Sequence, residues 1–214
     1  MYDTAPATKI EGVKRWGATP ILMPRDAMLE WLASEGWRSE PEAFIHPFAE
    51  PEAMAGHGGL GLELVEDVPG LARVLIPVGG GGLIGGVASA LKGLRAGVEV
   101  IGVQSDGYPL WTRCLEAGGP VTIKPATIAD GTTAPFDARM FDLLKACVDR
   151  WLTVPEPRLR SAIPELAAAA KVVAEGAGAL AYAALEQLEP GLPTVAVVSG
   201  GNIDPKLLAE LLEA

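Results

Sequence analysis

An α/β fold built on a mainly parallel sheet is predicted by three observations. Segments with strand and helix patterns alternate along the chain. The strand candidates at residues 73–78 (RVLIPV), 98–103 (VEVIGV) and 194–198 (TVAVV) are short, continuous apolar runs, the pattern of strands covered by helices on both faces. Glycine turns follow the first and last of them, GGGG at 79–82 and SGG at 199–201. Ligands in such sheets sit beyond the carboxyl ends of the strands, so both turns are expected to face one crevice.

The elements follow in order. Residues 9–16 read as a helix stopping near Gly17, and 19–23 as a short strand. Residues 25–35 read as a helix with Met28, Leu29 and Leu32 on one side, and 44–46 as extended chain. A glycine-containing helix over 54–65 precedes the strand at 73–78, and a helix over 83–94 leads to the strand at 98–103. Helices at 109–117 and 137–148 precede a strand at 151–154. A long helix over 158–188, interrupted near Gly176, leads to the strand at 194–198, expected to be buried, and 205–213 is the last helix. Right-handed crossovers are the default for such units.

The 214 residues carry 27 acidic and 17 basic side chains, a net charge of -10. That balance argues against a broad nucleic-acid or anionic-membrane surface, but leaves room for one small anion in a local pocket. Cys114 and Cys147 make no disulfide framework and read as reduced, buried thiols. The N-terminus MYDTAPATK has no apolar signal core, and no segment reaches the ~18 apolar residues of a spanning helix, so a cytoplasmic protein is expected.

The turn Gly79-Gly80-Gly81-Gly82 leaves the N-terminus of the following helix bare of side chains. Several N–H groups can then converge on an anion, aided by the helix dipole, although the turn has no Lys or Arg. Tight packing of the turn is the other reading. It is not a P-loop, since no Gly-Lys-Ser/Thr follows, and it is not a dinucleotide fingerprint, since the next strand ends in Gln104 instead of an acidic residue.

Six ordered blocks carry a resemblance. They are APATKIEGVKRWGATPIL (5–22), FIHPFAEPEAMAGHGGLGLEL (44–64), PVGGGGLIGGVASALK (77–92), TIADGT (127–132), VAEGAGALAYAAL (173–185) and VVSGGNID (197–204). Together they resemble the fold type II pyridoxal-phosphate enzymes, specifically the serine/threonine dehydratase family that includes threonine deaminases and serine racemases. The resemblance implies a tryptophan synthase β-like fold and pyridoxal 5'-phosphate as cofactor, weakly held in this chain. It implies that Gly79, Gly80, Gly81, Gly82 and Leu83 donate main-chain N–H groups to the cofactor phosphate. It implies that Ser199 hydrogen-bonds the pyridine nitrogen, a neutral partner that suits β-elimination over transamination. Glu175 either lines the cofactor face or is a helix carboxylate.

Two family features are missing. An SxK motif, whose lysine forms the Schiff base, and an SxGNH-type loop for the substrate carboxylate are not in the chain; the seven lysines are Lys9, Lys14, Lys92, Lys124, Lys145, Lys171 and Lys206. His57 and Gly59 replace the family's Gln and Thr, and Gln104 replaces a Glu that binds a divalent cation in many members, so no conventional metal site is expected. No catalytic residue is assigned; recruited His57 and Lys9 are candidates, each with a bland alternative as a packed or solvated helix residue. His46 is expected to satisfy main chain at a domain hinge.

The expectation is therefore an N-terminally truncated member: residues 1–45 a remnant of the small domain and 46–214 the large cofactor-binding domain. Its function would be an ammonia-lyase converting L-threonine or L-serine to a 2-oxo acid, incomplete as a single chain. The rival is a non-catalytic small-anion or partner-binding protein on that scaffold. An exposed strand edge or apolar patch is expected where sheet is missing, covered by a complementing N-terminal polypeptide or a homo-oligomer. Trp16, Trp31, Trp37, Trp111 and Trp151 include candidate interface anchors, though core packing is the commoner fate of each.

Overall fold

Alternate residues of each strand face opposite sides of a sheet, and here both sides are apolar. In the computed structural model, which describes residues 1–5 and 7–213, the strands are β1 (Arg73–Pro77), β2 (Glu99–Ser105), β3 (Arg150–Val154) and β4 (Thr194–Ala196). They form a parallel four-stranded sheet in the order β3-β2-β1-β4. Leu75, Ile101 and Val103 point to one face, and Val74, Ile76 and Val100 to the other. Pro6, within the first resembling block, and Ala214, at the end of the second expected domain, lie outside the described residues.

The chain divides into two compact units, Met1–Ile45 with Asp204–Lys206, and His46–Ile203 with Leu207–Ala214. The first unit holds α1 (Ala7–Arg15), α2 (Arg25–Ala33) and a 3-10 turn at Gly36–Ser39. The strand expected at 19–23 does not form: Met23 alone makes a bridge, to Tyr2. Pro20 and Pro24 remove two donors from that stretch, and no described strand of this unit lies beside it. The 44–46 stretch joins no ladder either. Trp31, Trp37 and Phe44 cluster by their rings, with centroids 4.7 to 5.9 Å apart. Trp16 is exposed.

In the second unit α3 (Pro51–Asp67), α4 (Gly82–Leu94) and α6 (Ala138–Cys147) cover one face of the sheet. The other face is covered by α7 (Glu156–Ala170), α8 (Gly176–Ala183) and the apolar side of α9 (Pro205–Glu213). α5 (Leu110–Ala117) follows β2. The long helix expected over 158–188 is two helices and a 3-10 turn at Leu185–Gln187. Lys171 adopts a left-handed conformation, φ 58°, at the end of α7, which stops that helix five residues before Gly176. Both cysteines are free and buried, and burial pushes the Cys147 thiol up to about 11. Among the described residues no helix is long and apolar enough to cross a membrane.

One expectation is corrected in a way that matters. The run at 194–198 is apolar enough for a central strand, yet β4 is a half-buried edge strand of three residues, and Val198 is exposed. Pro193 C=O accepts from β1, and Val197 N–H donates to Leu75 C=O. Alternation then turns the N–H and C=O groups of Thr194, Ala196 and Val198 toward the open side, where no described strand pairs with them. At the opposite edge of the sheet the Thr153 carbonyl of β3 accepts from the Gln187 side-chain amide.

Candidate cofactor site

β1 runs on into Val78, whose N–H donates to Val103 C=O at 2.9 Å, and then into the glycine turn. Gly81 caps α4 with φ 97°, a left-handed conformation that suits glycine. At Gly82 a Cβ would lie 2.7 Å from the Phe48 carbonyl oxygen and 2.9 Å from Phe48 Cα, and at Gly80 it would strike the Phe48 ring. At Gly79 it would meet Thr132 Cα at 2.9 Å. The glycines thus let a helix start be packed by Phe48 and by the segment 127–132. The packing of the turn is tight, and its N–H groups nonetheless stay without a protein acceptor among the described residues.

The N–H groups of Gly79, Gly80, Gly81, Gly82 and Leu83 meet no acceptor among the described residues. Gly80, Gly81 and Gly82 are buried. Consecutive donors at the start of a 13-residue helix form a cradle for an anion.

Ser199 lies on the same rim. β4 pairs with β1 so that Leu75 faces Ala196, Val197 N–H still donates to Leu75 C=O, and the chain then runs into Ser199 at the end where β1 runs into the glycine turn. Ser199 is exposed. Glu175 precedes α8; its N–H donates to Gly200 C=O at 3.0 Å, and a Cβ on Gly200 would lie 2.5 Å from its Oε1. Its carboxylate therefore sits beside the turn that carries Ser199. His57 is exposed on α3, and Lys9 lies on α1 of the first unit.

His46, whose main-chain role was expected, and Phe48, Arg139, Asp137 and Glu156, which were not candidates in the sequence, hold the rim in shape. Phe48 is set by His46, whose Nδ1 accepts from the N–H groups of Phe48 (3.3 Å) and Ala49 (3.0 Å). His46 Nε2 lies 3.2 Å from Arg139, which pairs with Asp137. Burial, with help from the Arg139 charge, holds the His46 imidazole below its ordinary value. Burial acts to raise the Asp137 carboxyl, but hydrogen bonds from Arg139 outweigh it and the net direction is down. Glu156 accepts from Ser105 Oγ and from Ile128 N–H, tying the 127–132 segment to β2. Phe48 and Ile128 fall within the ordered blocks at 44–64 and 127–132, whereas Ser105, Asp137, Arg139 and Glu156 lie outside all six and carried no sequence signal.

Taken together, the rim brings a cation-free row of bare N–H groups and the hydroxyl of Ser199 to the carboxyl ends of adjacent parallel strands, with the Glu175 carboxylate beside them. Residues 1–200 match the family model of the pyridoxal-phosphate dependent enzymes, and the chain belongs to that family. Pyridoxal phosphate is the family's cofactor, and the bare N–H groups of the glycine turn fit its phosphate.

Within the family the chain is similar to threonine ammonia-lyases. It is 40% identical to the L-threonine ammonia-lyase of Thermotoga maritima over 99% of this chain and 54% of that one. The corresponding enzyme of Geobacter sulfurreducens is 35% identical over 100% of this chain and 54% of that one. The chain thus spans about half the length of these curated relatives. Among solved structures, maize serine racemase superposes with a TM-score of 0.87 at 27% identity, covering 99% of this chain and 68% of that one. A threonine deaminase from T.th. gives 0.80 at 34% identity, covering 95% and 69%.

Proposed function

We propose that this chain is the cofactor-cradling part of a pyridoxal-phosphate-dependent ammonia-lyase that converts a β-hydroxy amino acid, L-threonine or L-serine, to a 2-oxo acid and ammonia. The observation that carries this reading is the row of unpartnered N–H groups from Gly79 to Leu83 on the same rim as Ser199. When bound, the cofactor supplies an electron sink for the substrate's α-carbon. The chain's own residues bind and orient. Gly79, Gly80, Gly81, Gly82 and Leu83 would hold the phosphate, Ser199 Oγ would hold the ring nitrogen without giving it a full charge, and Glu175 would line the rim.

The α-proton base and the covalent anchor are not assigned to this chain, because none of its lysines stands in an SxK motif. We propose that a second polypeptide segment supplies that lysine and covers the open side of β4, a second copy of the chain being the alternative cover. The same missing motif favours one rival reading, a non-catalytic anion- or partner-binding role on this scaffold.

The test is a calorimetric titration of the chain with pyridoxal phosphate, followed by borohydride reduction and mass spectrometry. The expected result is reversible binding that inorganic phosphate displaces, with no covalent adduct. A co-purifying polypeptide that restores the adduct and ammonia release from threonine supports the lyase. Phosphate-sensitive binding with no such polypeptide favours the rival. Binding that phosphate does not displace would overturn both.

A further inference from the structure

We infer that Gln104 and Trp111 are positioning residues that aim the N–H groups of the glycine turn; the inference rests on the cofactor reading above and deepens it. Gln104 is the penultimate residue of β2 and is 1% exposed. Its Oε1 accepts from Trp111 N–H (3.0 Å) and Thr112 N–H (3.2 Å) at the start of α5. Its Nε2 donates to Val78 C=O at 3.4 Å. Trp111 is fully buried, and its indole Nε1–H donates to Gly79 C=O at 2.6 Å.

These two contacts engage the carbonyls of consecutive residues at the mouth of the turn. In a planar trans peptide the C=O of one residue and the N–H of the next point in opposite directions. A donor that fixes Val78 C=O toward Gln104 therefore directs Gly79 N–H to the other side. The indole that fixes Gly79 C=O does the same for Gly80 N–H. Glycine residues resist such ordering more than any others, so an unheld turn would sample many directions. Gln104 also serves α5, whose N-cap residue Pro109 makes no side-chain cap.

The residue type follows from these demands. One side chain must accept from α5 and donate to a strand carbonyl. An amide does both, whereas a carboxylate at 104 accepts only and would set oxygen against oxygen at Val78. Gln104 is thereby not a cation ligand lost, but the link from one helix start to another.

The experiment compares the parent chain with Trp111→Phe, which keeps a smaller aromatic ring and removes the N–H, and Gln104→Glu, which keeps the acceptor, removes the donor and adds a negative charge. Affinities for pyridoxal phosphate and for inorganic phosphate are measured by calorimetry. Amide resonances of Gly79, Gly80 and Leu83 are followed by nuclear magnetic resonance as phosphate is added. Trp111→Phe is expected to weaken phosphate binding about three- to tenfold, the loss of one buried hydrogen bond, and Gln104→Glu by more, because its added charge also repels the anion. In Trp111→Phe the phosphate-induced shift of Gly80 should fall while that of Leu83 persists, a site-specific change that mere loosening of the core would not produce. Parent-like affinity in both variants, or equal loss of every turn amide shift, overturns the inference while leaving the cofactor reading intact. A parent chain that binds neither probe overturns both.

Discussion

His46 shows how a single side chain is committed to holding main chain. Its Nδ1 accepts two N–H groups, so the imidazole must stay unprotonated at that atom for the Phe48 turn to hold. The folded value lies below the ordinary 6.5, through burial and then Arg139, with Asp137 and Glu50 pulling the other way. Between the folded and the ordinary value the unfolded chain binds more protons, so stability rises with pH across that window and is lost as pH falls through it. Urea midpoints measured from pH 7 downward should therefore drop, and the drop should flatten in His46→Asn, whose amide oxygen accepts but does not titrate. A main-chain role for His46 was legible in the sequence from its His-Pro-Phe setting. The role of Gln104 was not, because its partners at 78, 111 and 112 meet only once the sheet is folded. At Gly82 the constraint is steric: Gly82→Ala should cost about 1–3 kcal/mol in urea unfolding, since the Cβ meets the Phe48 main chain and not a movable side chain.

At the scale of elements, the helix pair α3 and α4 approaches closely because both carry glycine at the contact. A Cβ on Gly61 would lie 2.9 Å from Val87 C=O, and one on Gly86 would strike the Met54 carbonyl and lie 2.9 Å from His57 Cβ. Gly86→Ala should push α3 off α4 and lower the thermal midpoint by several degrees, about 1–3 kcal/mol for a forced backbone shift. Calorimetric scanning of the variant checks this, and a midpoint equal to the parent's would refute the contact. The apolar strand runs and glycine turns made the sheet legible, because their pattern is local. The status of β4 was not, since its run reads like β1 and its burial depends on a neighbour that periodicity does not report. The break after α7 was also hidden: nothing in the residue type of Lys171 announces a left-handed conformation.

For the whole molecule, the open side of β4 is the feature with the largest consequences for assembly. Thr194, Ala196 and Val198 present main-chain groups outward. Ala196→Pro removes an outward N–H and spares the bonds to β1, a substitution an edge strand tolerates. If a strand from another polypeptide docks there, this variant should lose co-purification or self-association in sedimentation while keeping its thermal midpoint within a few degrees. Unchanged assembly would place the partner elsewhere. The cation-free glycine turn has a further effect that reaches across the whole surface. A phosphate dianion approaching this protein climbs against ten surplus negative charges, and no lysine or arginine within the turn draws it in. Added salt thins that outer repulsion but hardly touches short bonds at a buried helix start. Ordinary ionic strength should accordingly help the ligand settle, the reverse of what a lysine-lined pocket does.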